Sequence, residues 1–180
     1  MNTEKWTTQD WRYAAPARLL HWLMAVLIPV MLALGWYMME VEDDPGSEVY
    51  FNLHKSLGLL LLLLLAARAA WRLGHRPASL PPSVAPLQAR LSRLGHGLLY
   101  AGMLLVPAAG LAGALLSKSG VAFFGLVLPR WFAPNHALAE QWFGLHELGA
   151  WTLAGLIVLH VLAGVKHLLL DKDGVFQRML

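Results

Sequence analysis

The chain has 180 residues, 57% of them hydrophobic and only 14% charged, where a soluble domain carries about 25% charged residues. That balance excludes an ordinary soluble globule, and the net charge of +3 comes with no feature that calls for a nucleic-acid partner. The absence of cysteine excludes disulfides, thiolate-held iron–sulfur clusters and covalent attachment of c-type haem.

Residues 1–16 are polar and aromatic, and Trp6, Trp11 and Tyr13 suit a membrane interface. Leu19–Met39 then runs without a charge and with one histidine, which predicts a first transmembrane helix near 17–39. It is too long for a signal-peptide core and reads as a retained anchor, with Pro29 as its expected kink. A short acidic loop follows. The second span is expected near 52–73; Ser56–Ala67 is its uncharged centre, and Lys55, Arg68 and Arg72 lie towards its ends, where cationic stems reach the interface.

His75–Arg93 reads as a connection stiffened by Pro77, Pro81, Pro82 and Pro86. The third span, near 94–116, contains Pro107, Gly110 and Gly113, small residues that permit close helix packing. In the loop near 117–142, Val121–Leu128 reads as a re-entrant or interfacial piece. The fourth span is expected near 143–169, followed by a polar tail, Asp171–Leu180. The expectation is an all-α transmembrane four-helix bundle forming a single domain over residues 1–180, with no internal repeat.

Orientation follows from the cations. With both termini cytoplasmic, eleven of the fourteen Lys and Arg residues fall inside; only Lys55, Lys118 and Arg130 fall outside.

Four of the eight histidines lie in the apolar spans at matched depths. His21 is near the inner end of the first helix and His54 near the outer end of the second. His146 and His160 share the fourth helix, fourteen residues apart, so their rings leave nearly one face about 21 Å apart along it. Topology therefore pairs His21 with His160 and His54 with His146, one pair in each half of the bilayer, and two b-type haems are the expected occupants. A zinc site wants four ligands converging within a few ångströms, which rings at opposite ends of a bilayer cannot supply. Gly58, Gly149 and Gly164, each about one turn from a ligand, are expected to leave room for a flat porphyrin. Arg18, Lys55, Arg68, Arg72 and Lys166 are candidates for pairing with haem propionates. His167 lies on nearly the same face as His160 and competes as inner ligand; its shallower position favours His160. His96 and His167 are candidate contacts for quinone carbonyls, and no role is expected for His75 or His136.

Ala17–Trp22 (ARLLHW), Leu53–Gly58 (LHKSLG), Gly95–Tyr100 (GHGLLY), Leu145–Gly149 (LHELG), Leu159–His167 (LHVLAGVKH) and Asp171–Asp173 (DKD) together resemble the bacterial cytochrome b561 family over nearly the whole chain. That resemblance implies a multi-pass protein of the bacterial cell inner membrane that binds two b haems and exchanges electrons with ubiquinone or another quinone. It implies His21, His54, His146 and His160 as haem ligands and His96 and His167 near the quinone. One branch of the family oxidises superoxide at the outer face, a chemistry that wants a basic outer surface. Here the outer face sets three cations against seven acids, so a periplasmic redox protein stands beside superoxide as the expected partner. Two further readings remain open: an electron-transfer subunit with no small substrate of its own, and a non-redox metal-binding carrier. The lack of intramembrane carboxylates weighs against the carrier.

Overall fold

The computed structural model describes residues 12–75 and 84–180. Trp6, Trp11, Pro77, Pro81 and Pro82 lie outside the described residues. Four helices dominate: α1 (Ala15–Glu40), α2 (Glu48–Gly74), α3 (Pro86–Leu116) and α4 (His136–Lys166). Each is long and apolar enough to cross a membrane, since about 20 residues rising about 1.5 Å apiece span a hydrocarbon core. Their outward faces are apolar too: Val26, Leu63, Leu105 and Leu159 are all more than 60% exposed. A helix apolar all round, with its outer face uncovered by protein, is a lipid-facing helix.

Two helices start earlier than hydropathy predicts. α3 begins at Pro86 rather than near 94, because a proline in the first turn loses no hydrogen bond and the Gln88 side chain accepts from the Ala85 N–H at 3.3 Å. The expected connection over His75–Arg93 is therefore partly helix. α4 begins at His136 rather than near 143, capped by the Asn135 side chain, which accepts from the Leu138 N–H at 3.1 Å. Both extensions are polar turns beyond the apolar span, invisible to hydropathy and legible only from capping chemistry. α1 continues through Pro29 without a break.

Sequential helices pack antiparallel, and α3 packs most extensively on α4. Small residues let those two approach: a Cβ on Gly113 would lie 2.6 Å from the Phe143 ring, and one on Gly149 would lie 2.9 Å from Val106 Cγ2. Met24, Ile28, Leu65 and Leu153 form the buried core, extended by Leu61, Leu99, Met103 and Ile157. Every helix contributes, and along each helix these residues lie between the levels of the two histidine pairs.

Val121–Leu128, expected as a re-entrant or interfacial piece, folds as a hairpin. Strands β1 (Ala122–Phe123) and β2 (Leu126–Val127) pair antiparallel, Ala122 opposite Val127. Phe124 at φ 45° and Gly125 at φ 90° make the turn, the positive-φ pair that a two-residue hairpin favours. Ser56, 2% exposed on α2, pins it: its hydroxyl accepts from the Phe124 N–H at 2.9 Å. At the far end, α4 passes into a π-helical turn (His167–Asp171), and the tail closes as a 3-10 turn (Phe176–Met179) against the start of α1. The Arg178 carbonyl accepts from the Tyr13 N–H at 3.0 Å, the Met179 carbonyl accepts from Trp22 Nε1–H at 2.7 Å, and Arg18 donates to the Leu180 backbone oxygen.

Candidate functional site

The antiparallel bundle gathers imidazoles at two levels. His54 of α2 faces His146 of α4, ring centroids 5.9 Å apart and planes at 85°. His21 of α1 faces His160 of α4 at 6.2 Å and 74°. These are the two pairs that the depth argument puts at one level. His96 of α3 joins the second group, 5.5 Å from His160. Its expected neighbour His167 is instead turned into the tail.

Local sequence explains the ring positions at the His54 end. Gly110 leaves the space that the His146 ring fills: a Cβ there would stand 2.8 Å from Nδ1. One turn earlier on α3, the Val106 carbonyl accepts from His146 Nδ1–H at 2.8 Å. A carbonyl only accepts, so Nδ1 donates and Nε2 is the nitrogen left for a metal. Gly35 of α1 does the same for His54, where a Cβ would meet Cε1 at 3.0 Å. Buried His54 Nδ1 has no hydrogen-bond partner among the described residues.

Clearance around the rings comes from Gly35 and Gly110; of the expected glycines, Gly149 is the one packed too closely for a side chain. Gly149 receives Val106, Gly164 faces Phe176 of the tail, and Gly58 faces Met31 at an ordinary 3.8 Å. Sequence reading assigned Gly110 to helix packing and passed over Gly35, because a glycine's role depends on which side chain another helix brings to it.

The cations divide between the ends. Arg68 Nε donates to Tyr100 Oη at 3.1 Å, and the guanidinium groups of Arg68 and Arg72 lie 5.8 and 5.9 Å from the Tyr100 ring centre. Arg68 is close enough to His21 and His160 to act on both electrostatically. Neither arginine pairs with a carboxylate among the described residues. They line a small open cleft with Tyr13, Trp71, His75 and Met179. Arg18 is committed to the tail, and Lys166 binds Asp171 at 2.5 Å. At the other end Lys55 Nζ donates to Ser119 Oγ at 3.0 Å and to the Gly120 carbonyl at 3.1 Å, while Arg130 donates to the Lys118 carbonyl.

His167 Nδ1 lies 2.6 Å from Asp173 and 3.4 Å from Asp171. With Lys166 also on Asp171, the two carboxylates hold His167 through Nδ1. His75 stacks flat on Trp71, centroids 3.9 Å apart, and His136 lies 4.0 Å from Glu140.

The donor set suits metal-centred cofactors. An imidazole nitrogen binds a first-row metal at about 2 Å, and the ring centre lies about 1 Å further, so two rings facing across one ion sit on the order of 6 Å apart. Both pairs have that separation, and His146 has the carbonyl partner that a metal-binding imidazole ordinarily keeps on its other nitrogen. The profile described as prokaryotic cytochrome b561 matches residues 12–180. "Cytochrome b561 homolog 2" of Escherichia coli (strain K12) is 34% identical over 174 residues, 94% of this chain and 91% of that protein. "Probable superoxide oxidase CybB" of Yersinia pestis is 26% identical over 167 residues, 89% of this chain and 91% of that protein. The metal-carrier alternative falls with these matches, because the chain belongs to the prokaryotic cytochrome b561 family: a multi-pass, haem b-binding redox protein of the bacterial inner membrane.

Proposed function

We propose that this cytochrome moves single electrons between a donor on its periplasmic face and the quinone pool, using two b haems held by His54 with His146 and by His21 with His160. The observation that carries the reading is the pair of facing imidazole couples, 5.9 and 6.2 Å between centroids, at opposite ends of one lipid-facing bundle. The haems supply reversible one-electron iron chemistry; the protein supplies position, charge and exclusion of water. Haems held by His54 with His146 and by His21 with His160 would have no position left for oxygen, which favours outer-sphere transfer.

The residues divide the remaining work. Val106 holds His146 in the tautomer that presents Nε2. Arg68 and Arg72, without a carboxylate partner among the described residues, are the propionate-binding cations at the His21 end; Lys55, next to His54, serves the other, and Arg18 contributes less because the tail occupies it. His96, beside His160, and His167, held by Asp173 through Nδ1, are the groups offered to the quinone. The cation distribution puts the His54 end outside and both termini in the cytoplasm.

Superoxide is the favoured donor. One relative carries that activity in its name, and the loop over Ser117–Gly120 gathers Lys55, Lys118 and Arg130, the three cations of this face, into one region beside His54. A local positive field attracts a small anion even where the whole face is acidic. A second reading, an electron-transfer subunit docking a periplasmic redox protein, rests on the exposed apolar hairpin region: Phe124, Leu126, Val127 and Trp131 are each at least 58% exposed.

The test is haem per chain and the reduced-minus-oxidised spectrum of detergent-purified protein, followed by superoxide-driven reduction of a soluble ubiquinone analogue. About two haems with a b-type α band and superoxide-dependent quinone reduction are expected. A haem-free folded protein overturns the reading. A di-haem protein that quinol reduces and superoxide does not transfers it to the docking subunit.

A further inference from the structure

The two ends hold different numbers of imidazoles. His54 and His146 face each other with no third histidine ring against them among the described residues, whereas His160 has two neighbours, His21 at 6.2 Å and His96 at 5.5 Å. His96 belongs to α3, the one helix that supplies no axial ligand in the function proposed above. Its Nδ1 lies 2.6 Å from the Ser92 carbonyl, one turn earlier on the same helix. That carbonyl can only accept, so Nδ1 donates and Nε2 is the nitrogen left for a metal. His146 has the same arrangement with Val106. His96 is thus an imidazole oriented by its own helix, with Nε2 unbonded among the described residues, and no further from His160 than His21 is.

We propose that His96 is a standby axial ligand at this end, taking the position opposite His160 when His21 leaves it. The inference rests on the haem assignment above and adds to it a redundancy that the His54 end lacks. The exchange breaks one iron–nitrogen bond to His21 and forms one to His96 Nε2; no electron or proton is gained or lost. The same Nε2 can accept from a quinol hydroxyl while His21 is bound, so the two roles exclude each other at any instant.

The test compares wild type, His21→Ala, His96→Ala, the double variant and His54→Ala, purified in detergent. Haem per chain is read by the pyridine haemochrome, and coordination by low-temperature EPR of the ferric protein. His21→Ala is expected to keep about two haems per chain, both low-spin. The double variant falls to about one, and so does His54→Ala alone; His96→Ala keeps two. The haem remaining at the opposite end reports that each variant has folded. A wild type with two haems and a His21→Ala variant with one, or with a new high-spin signal, overturns this proposal and leaves the function above standing. A haem-free wild type overturns both. If His21→Ala does not accumulate, His21→Gln, closer to histidine in volume, is read by the same two outcomes.

Discussion

The His54 end and the His21 end solve one problem, holding facing imidazoles in a membrane, by different means. At the His54 end the backbone does it: Gly35 and Gly110 leave room for the rings, and the Val106 carbonyl fixes one tautomer. At the His21 end side chains and the tail do it. Trp22 packs edge-on against His21, centroids 5.4 Å apart, and its indole is tied to Met179, while Arg68 and His96 crowd the same level. A site shaped by backbone has little tolerance for added volume; a site shaped by side chains has more than one way to stay filled.

Breaking that comparison begins with the ligands. His54→Ala is expected to halve haem content, and His146→Ala to do the same, since neither ring has a neighbour to replace it; haem per chain checks this. Next, Gly110→Ala forces a Cβ to 2.8 Å from His146 Nδ1. The ring must leave Val106, with an expected overpacking cost of about 1–3 kcal/mol, seen as a lower melting temperature and weaker haem retention at that end only. Arg68→Gln removes a positive charge beside His21 and His160. Less positive charge favours the oxidised iron, so redox titration should show one midpoint potential lowered and the other unmoved. The smallest effects belong to the covers. Ser56→Ala releases the hairpin by removing the hydroxyl bonded to the Phe124 N–H and to the Ala122 and Asn52 carbonyls. Trp22→Phe releases the tail by removing one bond, each bond worth about 0.5–1.5 kcal/mol. Hydrogen exchange should rise at Phe124 in the first variant and over Phe176–Met179 in the second, with haem content unchanged.

Particular residues show how far sequence reading reached. Matched depths put His54 beside His146 and His21 beside His160, because helix rise is constant and antiparallel neighbours share a level. The same arithmetic put His96 and His167 at one level, but level does not decide which way a ring faces. His96 turns to His160, while the π-helical turn and Asp173 draw His167 into the tail. Depth is one coordinate, and direction around the helix is another that local breaks can change. The hairpin escaped for a similar reason: Val121–Leu128 is apolar enough for an interfacial segment, and only the Ser56 hydroxyl, 68 residues from Phe124, pins it as strands.

Composition and hydropathy alone determined that this is a four-helix membrane protein, and histidine spacing determined that it carries two levels of imidazole. Both follow from quantities that accumulate along one helix: apolar length against bilayer thickness, and rise per residue. Tertiary structure decided which glycines make room for which rings, which carbonyl fixes a tautomer, and that one end has a third histidine. Those depend on atoms that separate helices bring within 3 Å of each other. No property of a single segment encodes such a meeting.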